Sequence, residues 1–465
     1  MKSKYWLVIT LIGSQLAAAS VSRAQSATNN ATDIDDLKQQ IQILQQKVDA
    51  LENRQQEAQQ AQAAPQVAAK PSASLTVGAD GVTFRSANSN FVSSLHAWVQ
   101  VDSRTFFQDQ HTPGIDGFLV RRARLIYLGT VFHNFDYNFT PEFGGSTVQI
   151  LDAYLNYHYS PELQLQFGKY KPPVGLESLQ PDIYTFLNER SLATDLVPYR
   201  GLGAELHGDL FGGVVNYAGG IFNGLPDYTT TTINANYEND LAFAGRIFVS
   251  PFKQTAIAPL KGFGVGVSGS YEYDHTNAAA AGLTPGFTTD GQQKFFTYST
   301  TTFPDGAHWR ISPQGSYYWG PLGFIGEYTV SDQRVEKTPA PLVRGQLHNS
   351  AWEVSGGWVL TGENDSYNGV TPRHPFSIAD GGWGAWQVVG RYARLNVDDA
   401  AFPTFASATG SASRAEAWSV GLNWYLNADL RANLSFSQTT FNGGSANLVT
   451  QKPEEVLFTR VQLAF

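Results

Sequence analysis

The chain of 465 residues contains no cysteine and few charged residues. Without cysteine the protein has no disulfides, no thiolate metal site, no cysteine nucleophile and no lipidated N-terminal cysteine. Only 15% of the residues are charged, and the formal net charge of -9 leaves nothing basic enough to bind nucleic acid. Beyond the N-terminus, no apolar run approaches the roughly 18 residues of a membrane-spanning helix. The sequence therefore excludes a helical membrane protein.

Glycine and aromatic residues are abundant instead. The chain has 44 Gly, and Phe, Trp and Tyr make up 13% of it. This composition is typical of a protein that is built from many short strands.

The N-terminus has the features of a secretory signal peptide. Lys2 and Lys4 precede an apolar run over residues 6–16, and small residues follow up to Ala24. The apolar run is too short to span a bilayer, which argues against the alternative of a membrane anchor. We therefore predict a signal peptide over residues 1–24 and a mature chain that begins at Gln25, outside the cytoplasm.

A heptad pattern follows the signal peptide. Apolar residues recur at alternating spacings of three and four, at Ile34, Leu37, Ile41, Leu44, Val48 and Leu51. We interpret residues 25–58 as a short N-terminal coiled-coil helix, a stalk that oligomerises; the alternative is a solitary helix packed on another part of the protein. The Gln- and Ala-rich sequence that follows predicts a linker over residues 59–84, ahead of a domain over residues 85–465.

Alternating apolar and polar residues dominate this domain. Trp418, Val420 and Leu422 fall on one side of a segment, for example, with Ser419 and Asn423 on the other. The pattern predicts strands near residues 94–106, 117–129, 134–143, 148–158, 162–170, 201–210, 213–222, 240–250, 262–274, 306–319, 321–335, 349–360, 384–397, 416–426, 430–437 and 456–465. We predict an all-β fold, a transmembrane antiparallel β-barrel of about 16 strands, wide enough for an aqueous channel.

The connections between these segments alternate between short and long, as they do in outer-membrane barrels. The stretch over residues 361–382 breaks the alternation, so either the strand count is wrong there or the barrel has one long periplasmic loop. Another long connection, between Tyr170 and Gly201, contains four prolines and many charges. We predict that it folds inward and narrows the channel, with Lys169 and Lys171 at its root as anion contacts; a loop that faces solvent is the alternative.

Parity along the strands predicts a set of arginines inside the barrel. This set comprises Arg122, Arg124, Arg246, Arg310, Arg391, Arg431 and Arg460. A guanidinium group stays charged and offers paired donors to oxyanions, so such a series can pass phosphate from site to site. Because the same parity places several carboxylates inside, the alternative is that the arginines brace the wall through ion pairs.

Several short segments, in their shared order, resemble the phosphate-selective porins O and P. They are residues 117–125, 135–139, 151–157, 168–177, 186–191, 196–201, 360–363, 384–395 and 420–427. The resemblance implies a trimeric barrel of 16 strands with an inward-folded third extracellular loop. It also implies an arginine ladder at Arg121, Arg122 and Arg124 that leads to Lys169 and Lys171, and it makes a long connection near residue 361 expected.

These observations predict an outer-membrane porin for passive diffusion of small anions, phosphate or polyphosphate above all. We expect no enzyme activity, no cofactor and no metal. Expected partners are outer-membrane lipid, the anionic solute, two further copies in a homotrimer, and the assembly machinery, which would read the terminal Phe465. The stalk would lie in the periplasm. A weakly selective general porin is the first alternative, and a barrel lipid hydrolase or an adhesin are less favoured ones.

Overall fold

The computed structural model describes residues 32–63, 72–78, 81–107, 114–145, 147–225, 240–275, 286–338, 341–443 and 452–465. The predicted signal peptide, residues 1–24, lies outside these described residues. The chain divides into two units, Met1–Lys70 and Pro71–Phe465. Among the described residues, no helix combines the length and the apolar character that crossing a membrane requires.

The first unit contains one helix, α1, over Thr32–Ala63. It ends two residues before Pro65, and proline lacks the amide hydrogen that a helix interior needs. The heptad side chains of Ile41, Leu44, Val48 and Leu51 are exposed. The predicted helix is present, and its assembly into a coiled coil stays a prediction.

The second unit is a sheet of 18 strands together with a separate two-stranded hairpin. Its strands are β1 Ser74–Gly78, β2 Gly81–Arg85, β3 Phe91–Phe106, β4 Gly117–Val131, β5 Phe135–Glu142, β6 Gln149–Ser160, β7 Leu163–Tyr170, β8 Gly201–Leu210, β9 Val215–Phe222, β10 Ala242–Val249, β11 Phe263–Asp274, β12 Gly286–Thr288, β13 Lys294–Thr297, β14 Thr302–Trp319, β15 Leu322–Lys337, β16 Val343–Val359, β17 Ala385–Asn396, β18 Ala412–Tyr425, β19 Leu430–Gly443 and β20 Glu454–Ala464.

The sheet closes into a barrel because its last strand pairs with the third. β20 runs antiparallel to β3, with Arg460 opposite Asp102 and Ala464 opposite Trp98. Of the 18 strands in the sheet, β1 and β2 form a hairpin beside β3, and the other sixteen form the closed antiparallel ring. Each of the sixteen coincides with a segment that alternation predicted, so the predicted barrel is confirmed. The hairpin β1–β2 lies inside the predicted linker except for its last residue, Arg85, and β12–β13 was not predicted.

The alternation along each strand gives the two faces of the closed sheet different chemical character. On β18, Trp418 is 40% exposed and Val420 is 49% exposed, whereas Ser419 and Asn423 are buried. The outward face is therefore apolar, as hydrocarbon requires, and the inward face carries the polar side chains.

The two ends of the barrel differ in the length of their connections. One end, here called the turn end, has short connections at residues 132–134, 161–162, 211–214, 320–321 and 426–429. The opposite end, the loop end, includes the connections at residues 171–200 and 275–301. Residues 360–384 join β16 to β17 at the turn end. The strand count was therefore correct. Residues 360–384 are the longest connection at the turn end, and residues 250–262 form a second one there that is longer than a tight turn.

Three connections that matter for the site place buried side chains inside the barrel. They are residues 171–200, the inner loop; residues 286–297, the inner hairpin that includes β12 and β13; and residues 360–384, the turn-end segment. Phe287, Phe295 and Phe296 of the inner hairpin pack with Leu192 of the inner loop and with inward side chains of β15 to β19. This apolar cluster occupies the side of the lumen next to those strands.

Candidate functional site

The inner loop crosses the inside of the barrel, and none of its residues is exposed. Arginines of the far wall hold its backbone. Arg431 of β19 donates to the carbonyl oxygens of Ile183 and Thr185 at 3.1 and 2.9 Å. Arg391 of β17 donates to the carbonyl oxygen of Glu189 at 2.8 Å. The predicted inward fold of this connection is therefore present, and arginines predicted for solute contact hold it in place.

Asp182 of the inner loop collects three guanidinium groups. Its carboxylate lies 2.5 Å from Arg124, 2.9 Å from Arg190 and 3.3 Å from Arg122. All four side chains are buried. Asp182 thus neutralises part of the arginine ladder that the sequence predicts on β4.

Glu189 plays the same part nearer the loop end. Its carboxylate lies 2.7 Å from Arg121, 3.1 Å from Arg460 and 3.2 Å from Arg104. Arg460 also forms a paired contact with Asp102 at 2.6 and 2.8 Å. Two of the four carboxylates of the inner loop, those of Asp182 and Glu189, are therefore each the centre of a cluster of arginines.

The carboxylates of Asp182 and Glu189 are both ionised at neutral pH. Burial alone would raise the pKa of Asp182, but the guanidinium groups of Arg122 and Arg124 lower it well below its usual range. Burial likewise opposes the lowering of the Glu189 pKa, and Arg121 is the first of the arginines that outweigh it. Because these pKa values are depressed, the pairs stabilise the fold above the ordinary carboxyl pKa, and that stability is lost only in strong acid.

Arg121 reaches the lumen through an irregularity in the pairing of β3 with β4. Gln100 is paired with Arg122 while the next residue, Val101, is paired with Val120, so Arg121 is an extra residue in β4. Such a bulge re-aims a side chain that strict alternation would point outward. Parity placed only Arg122 and Arg124 inside, and Arg121 came from the family resemblance alone.

A cavity of about 330 Å³ lies between β4, the inner loop and the inner hairpin, and we call it the upper cavity. Its cationic lining side chains are Arg121, Arg122, Arg124, Arg190 and Lys294, and its acidic ones are Glu142, Glu189 and Asp195. Sequence reasoning missed Lys294 because it lies in a hairpin that has no alternating pattern long enough to register. In the lining of the upper cavity, five cationic side chains thus face three acidic ones.

Two further cavities continue along the inner faces of β3 and β4 toward the turn end. The middle cavity, about 410 Å³, shares Arg124 with the upper one and adds Lys171, Arg200 and three carboxylates. The lower cavity, about 390 Å³, shares Trp98 with the middle one and extends to Phe465. The three cavities form a series from loop end to turn end, and the Arg124–Asp182 pair stands where the first two meet.

The two lysines at the root of the inner loop are both held within the barrel, and their role as anion contacts stays a prediction. Lys171 lines the middle cavity, but its ammonium group donates to the carbonyl oxygens of Ser178 and Gln180 at 2.5 and 3.2 Å. Burial, with help from Arg190, holds the pKa of Lys171 well below its usual range. Lys169 is buried one residue before the end of β7. Lys171 is therefore chiefly a brace of the loop.

The remaining predicted arginines lie apart from the upper cavity. Arg310 pairs with Glu272 at 3.0 Å, and Arg391 pairs with Asp290 at 2.8 Å. Arg246 donates to side-chain oxygens of Gln314 and Asn216 at 3.1 and 2.8 Å. Arg431 lines the lower cavity, and Arg460 belongs to the Glu189 cluster. The structure brings together Arg121, Arg122 and Arg124. It gives these three, as well as Arg310, Arg391 and Arg460, ion pairs of the kind that the alternative interpretation describes.

The turn-end segment contacts the inner loop from the turn end of the barrel. The Tyr367 hydroxyl donates to the carbonyl oxygen of Leu176 at 2.6 Å, and Gln180 donates to the Tyr367 carbonyl oxygen at 2.7 Å. Asp365 enters beside Gly323, where a Cβ atom would overlap the carboxylate. The segment therefore supports the loop and narrows the turn end.

Burial raises the pKa of Asp365 to about 7, although hydrogen bonds from Ser366 and Gln387 favour the charged form. Because this pKa exceeds the ordinary value, the seating of the turn-end segment is strongest in acid and weakens as pH rises toward 7. We expect Asp365→Asn to remove this dependence, an effect on the order of 1 to 4 kcal/mol. Thermal unfolding in detergent between pH 4 and pH 8 measures it, and Asp380→Asn is a control with an exposed carboxylate. An equally steep pH profile in both variants would contradict the assignment.

Comparison with known proteins agrees with this geometry. Residues 95–465 match the family described as Phosphate-selective porin O and P. The outer-membrane channel DcaP of Acinetobacter baumannii superposes with a TM-score of 0.52 at 10% identity, over 82% of this chain and 99% of DcaP. Salmonella typhi OmpF, in its complex with daunomycin, gives a TM-score of 0.50 at 11% identity, over 81% and 99%. No curated protein sequence matches the chain.

At such identities the two superpositions establish the fold alone. A closed barrel of sixteen strands, with an apolar exterior and a series of internal cavities that charged side chains help to line, is the architecture of an outer-membrane channel protein. The family match covers most of the chain, and the chain belongs to the Phosphate-selective porin O and P family. It is therefore an outer-membrane porin, a channel rather than an enzyme.

Proposed function

We propose that this porin passes small anions by passive diffusion, with phosphate or polyphosphate as the leading solute. The observation that carries the proposal is the upper cavity, where Arg121, Arg122, Arg124 and Lys294 surround one space next to the inner loop. An anion that enters from the loop end meets these cationic groups before it meets the middle cavity. The family match independently favours phosphate among anions.

The carboxylates at this site do not prevent the passage of an anion, because they limit how tightly it binds. Arg121 has a side chain that is 26% accessible and pairs with Glu189, so an entering oxyanion competes with Glu189 for the same donors. Guanidinium groups bind oxyanions through paired hydrogen bonds. A conducting site must bind well enough to attract the ion and weakly enough to release it. The competing carboxylate supplies that weakening.

The organisation of the whole protein follows as part of the proposal. After removal of the signal peptide, residues 25–58 would form a coiled-coil stalk in the periplasm, and the barrels would assemble as a homotrimer. Phe465 closes the sheet, because its amide donates to the Ala97 carbonyl oxygen at 3.1 Å and its carbonyl accepts from Ala97 at 2.8 Å. We propose that the assembly machinery of the outer membrane reads this terminal strand.

A general porin with little charge preference is the second candidate. It is favoured by the ion pairs of the inner loop, since Asp182 and Glu189 together contact Arg104, Arg121, Arg122, Arg124, Arg190 and Arg460. Paired charges create only a weak field at a distance. The two candidates therefore differ in the sign and size of the reversal potential across a salt gradient.

We expect the double variant Arg122→Ala, Arg124→Ala to lower anion conductance severalfold, because each charge near 4 Å from an ion in water contributes about 1 kcal/mol. The measurement is the reversal potential in a planar bilayer under a KCl gradient, followed by titration of phosphate against chloride. Arg344→Ala is the matched control, since its side chain is 71% accessible. Cation preference in the wild type, or unchanged selectivity in the double variant, would contradict the proposal.

A further inference from the structure

Three buried glutamates meet on the side of the lumen away from the upper cavity. Glu327 of β15 stands directly opposite Glu353 of β16 in the pairing register, and Glu177 of the inner loop joins them. Their exposed fractions are 5%, 1% and 2% respectively. One carboxylate oxygen from each lies within 4.8 Å of the other two.

Two of these carboxylates receive hydrogen bonds that suit ionised groups. Glu327 accepts from the backbone amides of Leu176 at 2.7 Å and Glu177 at 3.2 Å. Glu177 accepts from the amide of Ser191 at 2.7 Å. Amide donors favour the charged form of a carboxyl group, and a bound cation would favour it further.

Glu353 is different. Its Oε2 atom accepts from the Ser355 hydroxyl, whereas its Oε1 atom is buried and has no hydrogen-bond partner. A buried carboxylate oxygen without a hydrogen-bond donor destabilises the fold unless a water, an ion or another ligand satisfies it. This oxygen therefore points independently to a ligand at the cluster.

The local charge points to the sign of that ligand. Across the described residues, the three carboxylates form ion pairs with a single guanidinium, that of Arg391, which lies 3.3 Å from Glu177. Arg391 also serves Asp290 at 2.8 Å. Like charges directly opposite each other on neighbouring strands are destabilising, as is a buried charge without a partner. A divalent cation would remove both costs.

We propose that Glu177, Glu327 and Glu353 bind one Ca²⁺ ion, which fastens the inner loop to β15 and β16. Calcium prefers oxygen ligands at about 2.3 to 2.6 Å, so its opposite ligands lie about 4.6 to 5.2 Å apart, while magnesium requires about 4.0 to 4.2 Å. Oxygens that lie within 4.8 Å of one another can all reach one ion of the larger size. Three carboxylates, each able to bind through one or both oxygens, also suit the flexible coordination of calcium better than the strict octahedron of magnesium. The site does not depend on which solute the porin conducts.

Equilibrium dialysis of the full-length protein with radioactive Ca²⁺ tests the proposal, in detergent and after removal of metals by EDTA. We expect one saturable Ca²⁺ per chain, little competition from equimolar Mg²⁺, and a higher unfolding temperature with Ca²⁺ than with EDTA. Glu353→Gln should lose binding, because it replaces the unpartnered oxygen. Glu336→Gln should retain it, since that buried β15 carboxylate lies outside the cluster and pairs with Arg344.

Glu177→Gln is a second variant on the loop, for use if Glu353→Gln gives no heat-resistant barrel. Loss of binding in either cluster variant with retention in Glu336→Gln supports the site. The proposal is overturned if the wild type binds no Ca²⁺ at millimolar concentration, if Mg²⁺ displaces Ca²⁺ at equal concentration, or if the folded cluster variants bind as the wild type does. A wild type without Ca²⁺ would mean that a shared proton satisfies the cluster instead.

Discussion

The Asp182→Asn variant is expected to prefer anions over cations more strongly than the wild type and to hold its inner loop less firmly. Asp182 neutralises Arg122, Arg124 and Arg190, so its removal exposes their charge where the upper and middle cavities meet. Removing one partner of a buried ion pair typically costs about 3 to 5 kcal/mol, since the other charge stays buried. The variant should therefore also unfold at a lower temperature.

Selectivity and thermal unfolding measured on the same preparation check this prediction. Asp152→Asn is the matched control, because Asp152 lines the middle cavity and pairs with one arginine, Arg200, at 3.0 Å. Mild acid should not imitate the variant. The pKa of Asp182 lies well below its usual range, so the pairs persist as pH falls from 7 to 4. A reversal potential equal to that of the wild type would show that Asp182 does not limit the channel.

Replacement of the inner hairpin, residues 286–297, by a short Gly-Ser linker is expected to raise single-channel conductance severalfold. The hairpin contributes Phe287, Phe295 and Phe296 to the apolar cluster that occupies one side of the lumen. These side chains are at most 2% exposed, and they leave the space beside β15 to β19 closed to water. Without them, water and ions should fill that side.

Charge must be separated from bulk in this experiment, because the hairpin also carries Lys294. Lys294→Gln removes the charge and keeps the aromatic residues, so it should weaken anion preference with little change in total conductance. The measurement is single-channel recording in symmetrical KCl for both variants. If the replaced loop conducts as the wild type does, the inner hairpin does not restrict the pore.

The barrel could be predicted because its physical cause is local. Each strand must present apolar side chains to lipid and polar ones to the lumen, and the sequence of each strand therefore alternates between the two kinds of residue. Trp418 and Ser419 illustrate how one neighbour faces out and the next faces in. The unusual connection at residues 360–384 was also visible, as a violation of the alternation of connection lengths.

The contents of the lumen were less accessible to sequence reasoning, because they depend on contacts between distant residues. Arg460 and Glu189 are 271 positions apart, and no local pattern announces their pairing. Arg121 faces the lumen only through a bulge, whose position depends on the pairing of β3 with β4. Charged residues of the inner loop were visible as a group, but their partners required the folded chain.

The closure of β20 on β3 has a consequence for biosynthesis. Gln100 and Gln462 bond across it at 2.7 Å although 362 positions separate them, so the ring is completed only after β20, the last of its sixteen strands in chain order, has been translated. Until then the sheet has two edge strands with unpaired backbone groups, which can associate with the edge strands of other incomplete chains. The hairpin β1–β2 already covers the beginning of β3, from Val92 to Leu95. The first two strands thus cover part of the same edge of β3 with which β20 later pairs.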